Sequence, residues 1–194
     1  MKPRILPALL AIALAACAAR GTTPLPAASG GGSDSEPSSS ELGTFDQPAL
    51  EKTFDTVFTH EDLTFSKSRY TAGYRLPLSL EFTIHPADQA KRILETSLRL
   101  SVDRPDSEVA LERTWFKLML SHQPAALEWL RQQRDDYLAR PGPDTSIRSM
   151  FGPVCTGFFT FGAETSASGR STTMGYFVET QDAHVNCNGL PDGT

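Results

Sequence analysis

From Leu76 to Ile84 the chain alternates without a break: Leu76, Leu78, Leu80, Phe82 and Ile84 are apolar, and Pro77, Ser79, Glu81 and Thr83 fall between them. Arg75 and His85 extend the polar set at either end. A period of two puts the five apolar side chains on one face of a strand and the polar ones on the other. A chain with such a segment must supply a sheet and a layer that covers its apolar face. Leu63 and Phe65 begin a weaker alternating run toward Tyr70, and Thr71-Ala72-Gly73 separates the two runs, so a β-hairpin is expected. Pro77 cannot donate to a ladder, which places it at an edge or facing away from the partner strand.

Before this hairpin, Asp46 precedes Gln47-Pro48, a helix start with proline in the first turn. Leu50, Phe54, Val57 and Phe58 fall at i, i+4, i+7 and i+8 and predict one apolar helix face ending near Thr59. After the hairpin, Pro86 opens a helical block that reaches Arg140. Ala90, Ile93, Leu94 and Leu98 make its first stripe, although Leu98, Leu100 and Val102 also alternate, which leaves a short strand open there. Asp103 to Asp106, with Pro105, breaks the chain. Ser107 to Ser121 then carries Val109, Leu111, Trp115, Phe116, Leu118, Met119 and Leu120 around most of its circumference, the pattern of a central, buried helix. Pro124 opens a third helix with Leu127, Trp129, Leu130, Tyr137 and Leu138, and Pro141-Gly142-Pro143 stops it.

The last fifty residues turn to β chemistry. Val154 to Phe161 and Met174 to Thr180 are rich in aromatic, β-branched and glycine residues and read as a second hairpin. The small, polar Ala163 to Ser171 stretch lies between them. The order helix, β-hairpin, three helices, β-hairpin predicts an α+β fold, a small antiparallel sheet of four strands packed on helices. No fixed period recurs, so a repeat array is rejected.

The first seventeen residues follow another logic. Lys2 and Arg4 precede an apolar stretch from Ile5 to Leu14, interrupted only by Pro7, and Leu14-Ala15-Ala16-Cys17 closes it. Ten apolar residues are too few to span a bilayer, which takes about 20. The basic, apolar, small-residue order is that of a cleaved secretory signal. A cysteine directly after Leu-Ala-Ala resembles the lipobox of bacterial lipoproteins, a resemblance confined to residues 1–20. It implies lipidation of the Cys17 sulfur, cleavage of residues 1–16 and acylation of the new amino terminus. Two or three acyl chains would make attachment effectively permanent, where one binds only marginally. Ala18 stands where inner-membrane retention in Gram-negative members shows Asp, so the resemblance points to the periplasmic face of the outer membrane. In a source without an outer membrane it points to the cell membrane. Residues 17–44 then read as the lipidated cysteine and a tether: Gly30-Gly31-Gly32, Ser38-Ser39-Ser40 and Pro24, Pro26 and Pro37 leave no apolar periodicity. As a flexible coil, Gly21 to Thr44 reaches roughly 25–30 Å. Residues 45–194 remain as one globular domain, long enough for a proper core.

The full chain carries net charge −5, and loss of Lys2 and Arg4 with the signal takes the remainder to −7. Nothing is basic enough to track nucleic acid, and the charge favours solubility without naming a substrate. With Cys17 assigned to lipid, Cys155 and Cys187 are the two cysteines left, and an even pair in an exported chain reads as one disulfide. The rival reading makes Cys155 a nucleophile paired with His184 or His122.

Catalytic spacing is mostly missing. There is no Gly-x-Ser-x-Gly elbow, Ser-x-x-Lys, phosphate-cradling loop or His-Glu-x-x-His. His60, His85, His122 and His184 fall in four different segments, and no pair has i, i+4 spacing. His60-Glu61-Asp62 reads as a solvated turn at a helix end. Glu61-Asp62 and Asp135-Asp136 are adjacent carboxylates, which do not face one another on a helix. Arg131, Arg134 and Arg140 form a basic edge offset by Asp135 and Asp136. No catalytic residue, metal ligand or cofactor is therefore assigned; His122, His184 and Asp182 are the candidates should an enzyme site be dispersed. The aromatic group Phe158, Phe159, Phe161, Tyr176 and Phe177 carries more. Consecutive Phe158 and Phe159 must point to opposite faces of a strand, so one face is core and the other is covered or is a binding surface. The Gly162 to Arg170 stretch is the expected contact loop. The resulting expectation is a lipid-anchored envelope protein with a non-catalytic domain that binds another envelope protein, as an assembly or stability factor or an immunity-type inhibitor. An envelope hydrolase and a carrier of a small apolar ligand between sheet and helices are the alternatives.

Overall fold

The computed structural model describes residues 42–64, 67–75, 77–166, 169–183 and 186–188, without the side chains of 64, 163–171 and 181. Cys17, residues 18–41 of the expected tether and His184 lie outside the described residues. The expected tether's last residues differ from a free spacer, with Leu42 buried in the core and Thr44 bridged to Arg92. The elements run α1 (Gln47–Phe54), β1 (Phe58–Thr64), β2 (Lys67–Ala72), β3 (Ser79–Ile84), β4 (Ile93–Ser101), α2 (Asp106–Leu120), α3 (Pro124–Ala139), β5 (Thr145–Phe151), β6 (Val154–Ser166), β7 (Gly169–Thr180) and a short 3-10 turn, Gln181–Ala183. All seven strands form one antiparallel sheet in the order β1-β2-β3-β4-β7-β6-β5. The class is α+β, as expected, with a sheet larger than the four strands anticipated.

Strand alternation sorts the side chains. Leu80, Phe82 and Ile84 of β3, Thr96, Leu98 and Leu100 of β4, Met174, Tyr176 and Val178 of β7 and Val154 and Phe158 of β6 are buried together on one face. All three helices cover it. Phe54 of α1 packs on Phe82, the Trp115 indole N–H of α2 donates to Thr96 Oγ1 at 3.0 Å, and Tyr137 and Trp129 of α3 pack on Phe158 and Phe151. Asp46 caps α1 by accepting from the Ala49 amide, as its position before Gln47-Pro48 predicts. Pro124 opens α3, and the helix ends before Pro141.

Five expectations change. The apolar stripe from Ala90 to Leu98 is not the first of three helices but β4, because Thr96, Leu98 and Leu100 fit a central strand between β3 and β7 and bury only their alternate set. The first helix stops at Phe54 rather than near Thr59. Asp55 turns left-handed (φ 48°), Val57 is exposed, and Phe58 pairs with Ala72. The first hairpin is a three-strand meander, with Pro77 ahead of β3 rather than in it. β5 was not anticipated: Thr145–Phe151 adds an edge strand to β6 after Pro141-Gly142-Pro143. α2 buries Trp115, Phe116, Met119 and Leu120 but leaves Leu118 exposed, so it is one-sided rather than central.

α2 also buries a charge. Glu112, 2% exposed, accepts from the Tyr176 hydroxyl on β7 and from Arg104 and Arg134, each at 3.2 Å. Arg134 also reaches Asp135 at 2.8 Å, so the expected basic edge of α3 is partly internal. The cluster ties α2, α3 and the sheet at one point.

Candidate binding face

With the helices on one side, the opposite face of the sheet is composed by the remaining alternate residues. The registers line them up in rows across the strands. One row reads Glu61, Arg69, Thr83, Glu95, Glu179, Cys155, Met150; the next reads Thr59, Thr71, Glu81, Ser97, Phe177, Gly157, Arg148; a third reads Ser79, Arg99, Gly175, Phe159, Ser146. Consecutive Phe158 and Phe159 do point to opposite faces: Phe158 joins the core with Tyr176, and Phe159, Phe161 and Phe177 lie on the face away from the helices.

Two glycines let these rings lie down. A Cβ on Gly157 would fall into the Phe177 ring, and one on Gly175 would fall into the Phe159 ring. Each phenylalanine thus lies over the glycine directly opposite it across β6 and β7, Phe177 over Gly157 and Phe159 over Gly175, and the rings form a low aromatic ledge. Phe161 continues the ledge at 43% exposure, with its ring centroid 5.4 Å from that of Phe159 and the Arg99 guanidinium 4.7 Å above it. Arg99 also donates to Thr173 Oγ1. Such a cation–ring contact contributes about 0.5–1 kcal/mol at an exposed site.

The Cys155–Cys187 disulfide forms as expected, with Cα atoms 5.9 Å apart. It draws residues 186–188 over the face, where Cys187 packs with Met150, Cys155 and Phe177. The Asn186 amide donates to Glu179 Oε1 at 3.0 Å, and its carbonyl accepts from Arg148 at 3.2 Å. This tail closes one side of an open trough of about 500 Å³, lined by Ser79, Glu81, Glu95, Ser97, Arg99 and the phenylalanine ledge, and bounded at the β5 edge by Asp144 and Arg148. A volume of this size suits a small ligand or a few side chains of a partner.

Glu95 is the electrostatic feature of the trough. It stands directly opposite Glu179 on the neighbouring strand, and like charges in that relation are destabilising. Burial first, and then the Glu179 carboxylate, hold the Glu95 carboxyl above the ordinary carboxylate range. Glu179 itself is fully buried.

The other candidates disperse. His122 is exposed in the turn between α2 and α3. Asp182 is exposed in the 3-10 turn and shares a surface hollow with Lys67, His85, Asp88 and Arg92; His122 does not line it. His60 and Asp62, 3.2 Å apart, sit in β1 rather than in a turn, with His60 against the Tyr70 ring. Cys155 carries no free thiol, which removes it as a nucleophile. Its sulfur, that of Cys187 and a Glu179 oxygen lie within 4.8 Å of one another, yet the disulfide leaves no thiolate for a metal. The Gly162 to Arg170 stretch is not a free loop: β6 continues to Ser166 and β7 begins at Gly169, and residues 167–168 lie outside the described ones. No helix among the described residues is long and apolar enough to cross a membrane.

Fold and face together define an α+β domain with a one-sided helical cover and an aromatic, charged trough on the other side. Comparison of the chain with protein-family models, with curated proteins and with solved structures finds no match.

Proposed function

We propose that this chain is a lipid-anchored envelope protein whose domain is a non-catalytic binding module, engaging another envelope protein through the open face of its sheet. The observation that carries this reading is the phenylalanine ledge. Phe159, Phe161 and Phe177 are turned away from the core, and Phe161 is left at 43% exposure in a trough of mixed charge. Aromatic residues with an adjacent arginine are the groups that dominate protein interfaces. The Leu14-Ala15-Ala16-Cys17 sequence and the Gly/Ser/Pro-rich stretch after it support a lipid anchor with a spacer that lets the domain stand off the outer membrane. The trough lies on the far side of the sheet from the helices, which does not favour a carrier holding its ligand between the two layers.

The test is capture in the native cell. Full-length tagged protein, cross-linked in its envelope and purified, should retain one dominant protein. The double variant Phe159→Ser, Phe161→Ser should lose it, and Glu128→Ser on exposed α3 should not. Retention by the ledge variant would refute the assignment of the face, and a purified domain that hydrolyses a cell-wall or ester substrate would refute the non-catalytic reading.

A further inference from the structure

Resting on that reading of the open face, we infer that the partner enters the trough with a basic side chain, whose cationic head meets Glu95 and Glu81 and whose aliphatic stem lies along Phe177 and Phe159.

The charges of the face are nearly all satisfied from within. Arg69 lies 3.8 Å from Glu81 and 4.0 Å from Glu61, Arg99 is held over Phe161 and Thr173, and Arg148 is engaged by the Asn186 carbonyl. Glu179 receives the Asn186 amide. Glu95 differs: among the described residues, no hydrogen bond or ion pair within 4.0 Å reaches its carboxylate, and Lys67 and Arg69 act on it only at longer range. It is partly buried, it faces Glu179, and Glu81 adds a third carboxylate nearby.

A central strand that serves only stability would place a neutral residue there, because the position opposes a buried carboxylate. A local rule broken with no contacting cation to offset it, only Lys67 and Arg69 at longer range, marks a functional position. An incoming cation offsets both the desolvation and the repulsion at Glu95, whereas an incoming carboxylate would add to them. The ring faces complete the chemistry. Phe177 and Phe159 lie across Gly157 and Gly175, so their outer faces border the same trough as Glu95. A lysine or arginine stem covers apolar surface while its head reaches the acid, and a cation over a ring face gains further.

The probe is the capped peptide Ac-Ala-Phe-Lys-Phe-Ala-amide, with the same peptide carrying Glu in place of Lys as its counterpart. Both are titrated to millimolar concentration into the isotope-labelled full chain in detergent micelles. The lysine peptide should shift resonances of Glu81, Glu95, Ser97, Phe159 and Phe177, and the glutamate peptide should bind at least tenfold more weakly. Glu95→Gln should weaken the lysine peptide about tenfold, the scale of one charge-assisted contact. That variant relieves the repulsion with Glu179, so it should unfold at a higher temperature than the wild type, and its lost binding cannot be ascribed to misfolding. Preference for the glutamate peptide, shifts on the face that Glu95→Gln leaves unchanged, or no shift on the face with either peptide would overturn the inference. The first two outcomes keep the face as a binding surface with a different partner chemistry; shifts confined to the helices would overturn the face as well.

Discussion

Removing the Glu112 carboxylate by itself should be among the most damaging single changes in the fold. Its side chain is 2% exposed and accepts from three donors: the Tyr176 hydroxyl, Arg104 and Arg134. The side chains of Arg104 and Arg134 are only 12% and 18% exposed, so the protein has already lost most of their hydration. Glu112→Leu leaves two guanidinium groups facing one another without their shared anion, and a buried tyrosine hydroxyl without its acceptor. Breaking a buried pair from one side costs about 3–5 kcal/mol, and for a domain of this size that lowers the midpoint by roughly 6–20 °C. The pair itself contributes much less. Glu112→Leu combined with Arg104→Met and Arg134→Met removes all three buried charges at once, leaving only the exposed Asp135, and should recover most of the loss, to within about 1–2 kcal/mol of the wild type. Urea unfolding followed by fluorescence reads both values, since Trp115 and Trp129 are packed against Tyr176 and Phe151. A Glu112→Leu loss below about 1 kcal/mol would refute the reasoning, as would a triple variant no more stable than the single one.

Three further outcomes are expected. Cys187→Ser opens a loop closed across 32 residues, which should cost about 3–4 kcal/mol in reversible unfolding without reductant; an unchanged midpoint would show that the tail adds no constraint. Glu95→Gln should stabilise the domain at neutral pH by about 0.2–1 kcal/mol. Because the folded-state pKa of Glu95 lies above its ordinary 4.5, its ionisation penalises folding as pH rises through that value and beyond, so the gain should vanish below pH 4.5, where both states are protonated; a gain independent of pH would point to another cause. Cys17→Ser should move the protein from the membrane fraction to the soluble one, checked by fractionation together with the mass of the mature amino-terminal peptide, and a membrane-bound Ser variant would count against a thioether-linked lipid anchor.

Some of this architecture is legible in the sequence because single residues fix it locally. Asp46 with Pro48, Pro124, and Pro141-Gly142-Pro143 set helix ends that depend on nothing distant. The alternation around Leu80, Phe82 and Ile84 marks β3 because only a strand buries every second residue for that length. β4 is not legible in the same way: Ile93, Leu94 and Leu98 fit a helical face as well as a strand, and the choice is made by β3 and β7 pairing on either side. β5 has Ile147 and Phe151 facing the core but Met150 facing the tail, with Thr145, Ser146, Arg148 and Ser149 polar between, so neither period stands out. Glu112 looks like a solvent-facing helical residue until Arg104, Arg134 and Tyr176 are brought to it from three other segments. The trough is a product of register. Glu95, Ser97 and Arg99 are an ordinary polar set in the chain and become neighbours of Phe177 and Phe159 only once β4 pairs with β7 and β7 with β6.

The most direct measurement places a photo-activatable amino acid in turn at Ser97 and Ser146 on the open face and at Glu128 and Arg131 on α3 of the full-length protein in its native envelope. Ser97 and Ser146 should cross-link to one and the same protein, while Glu128 and Arg131 give no specific product. A specific product from α3 with none from the open face would contradict the account.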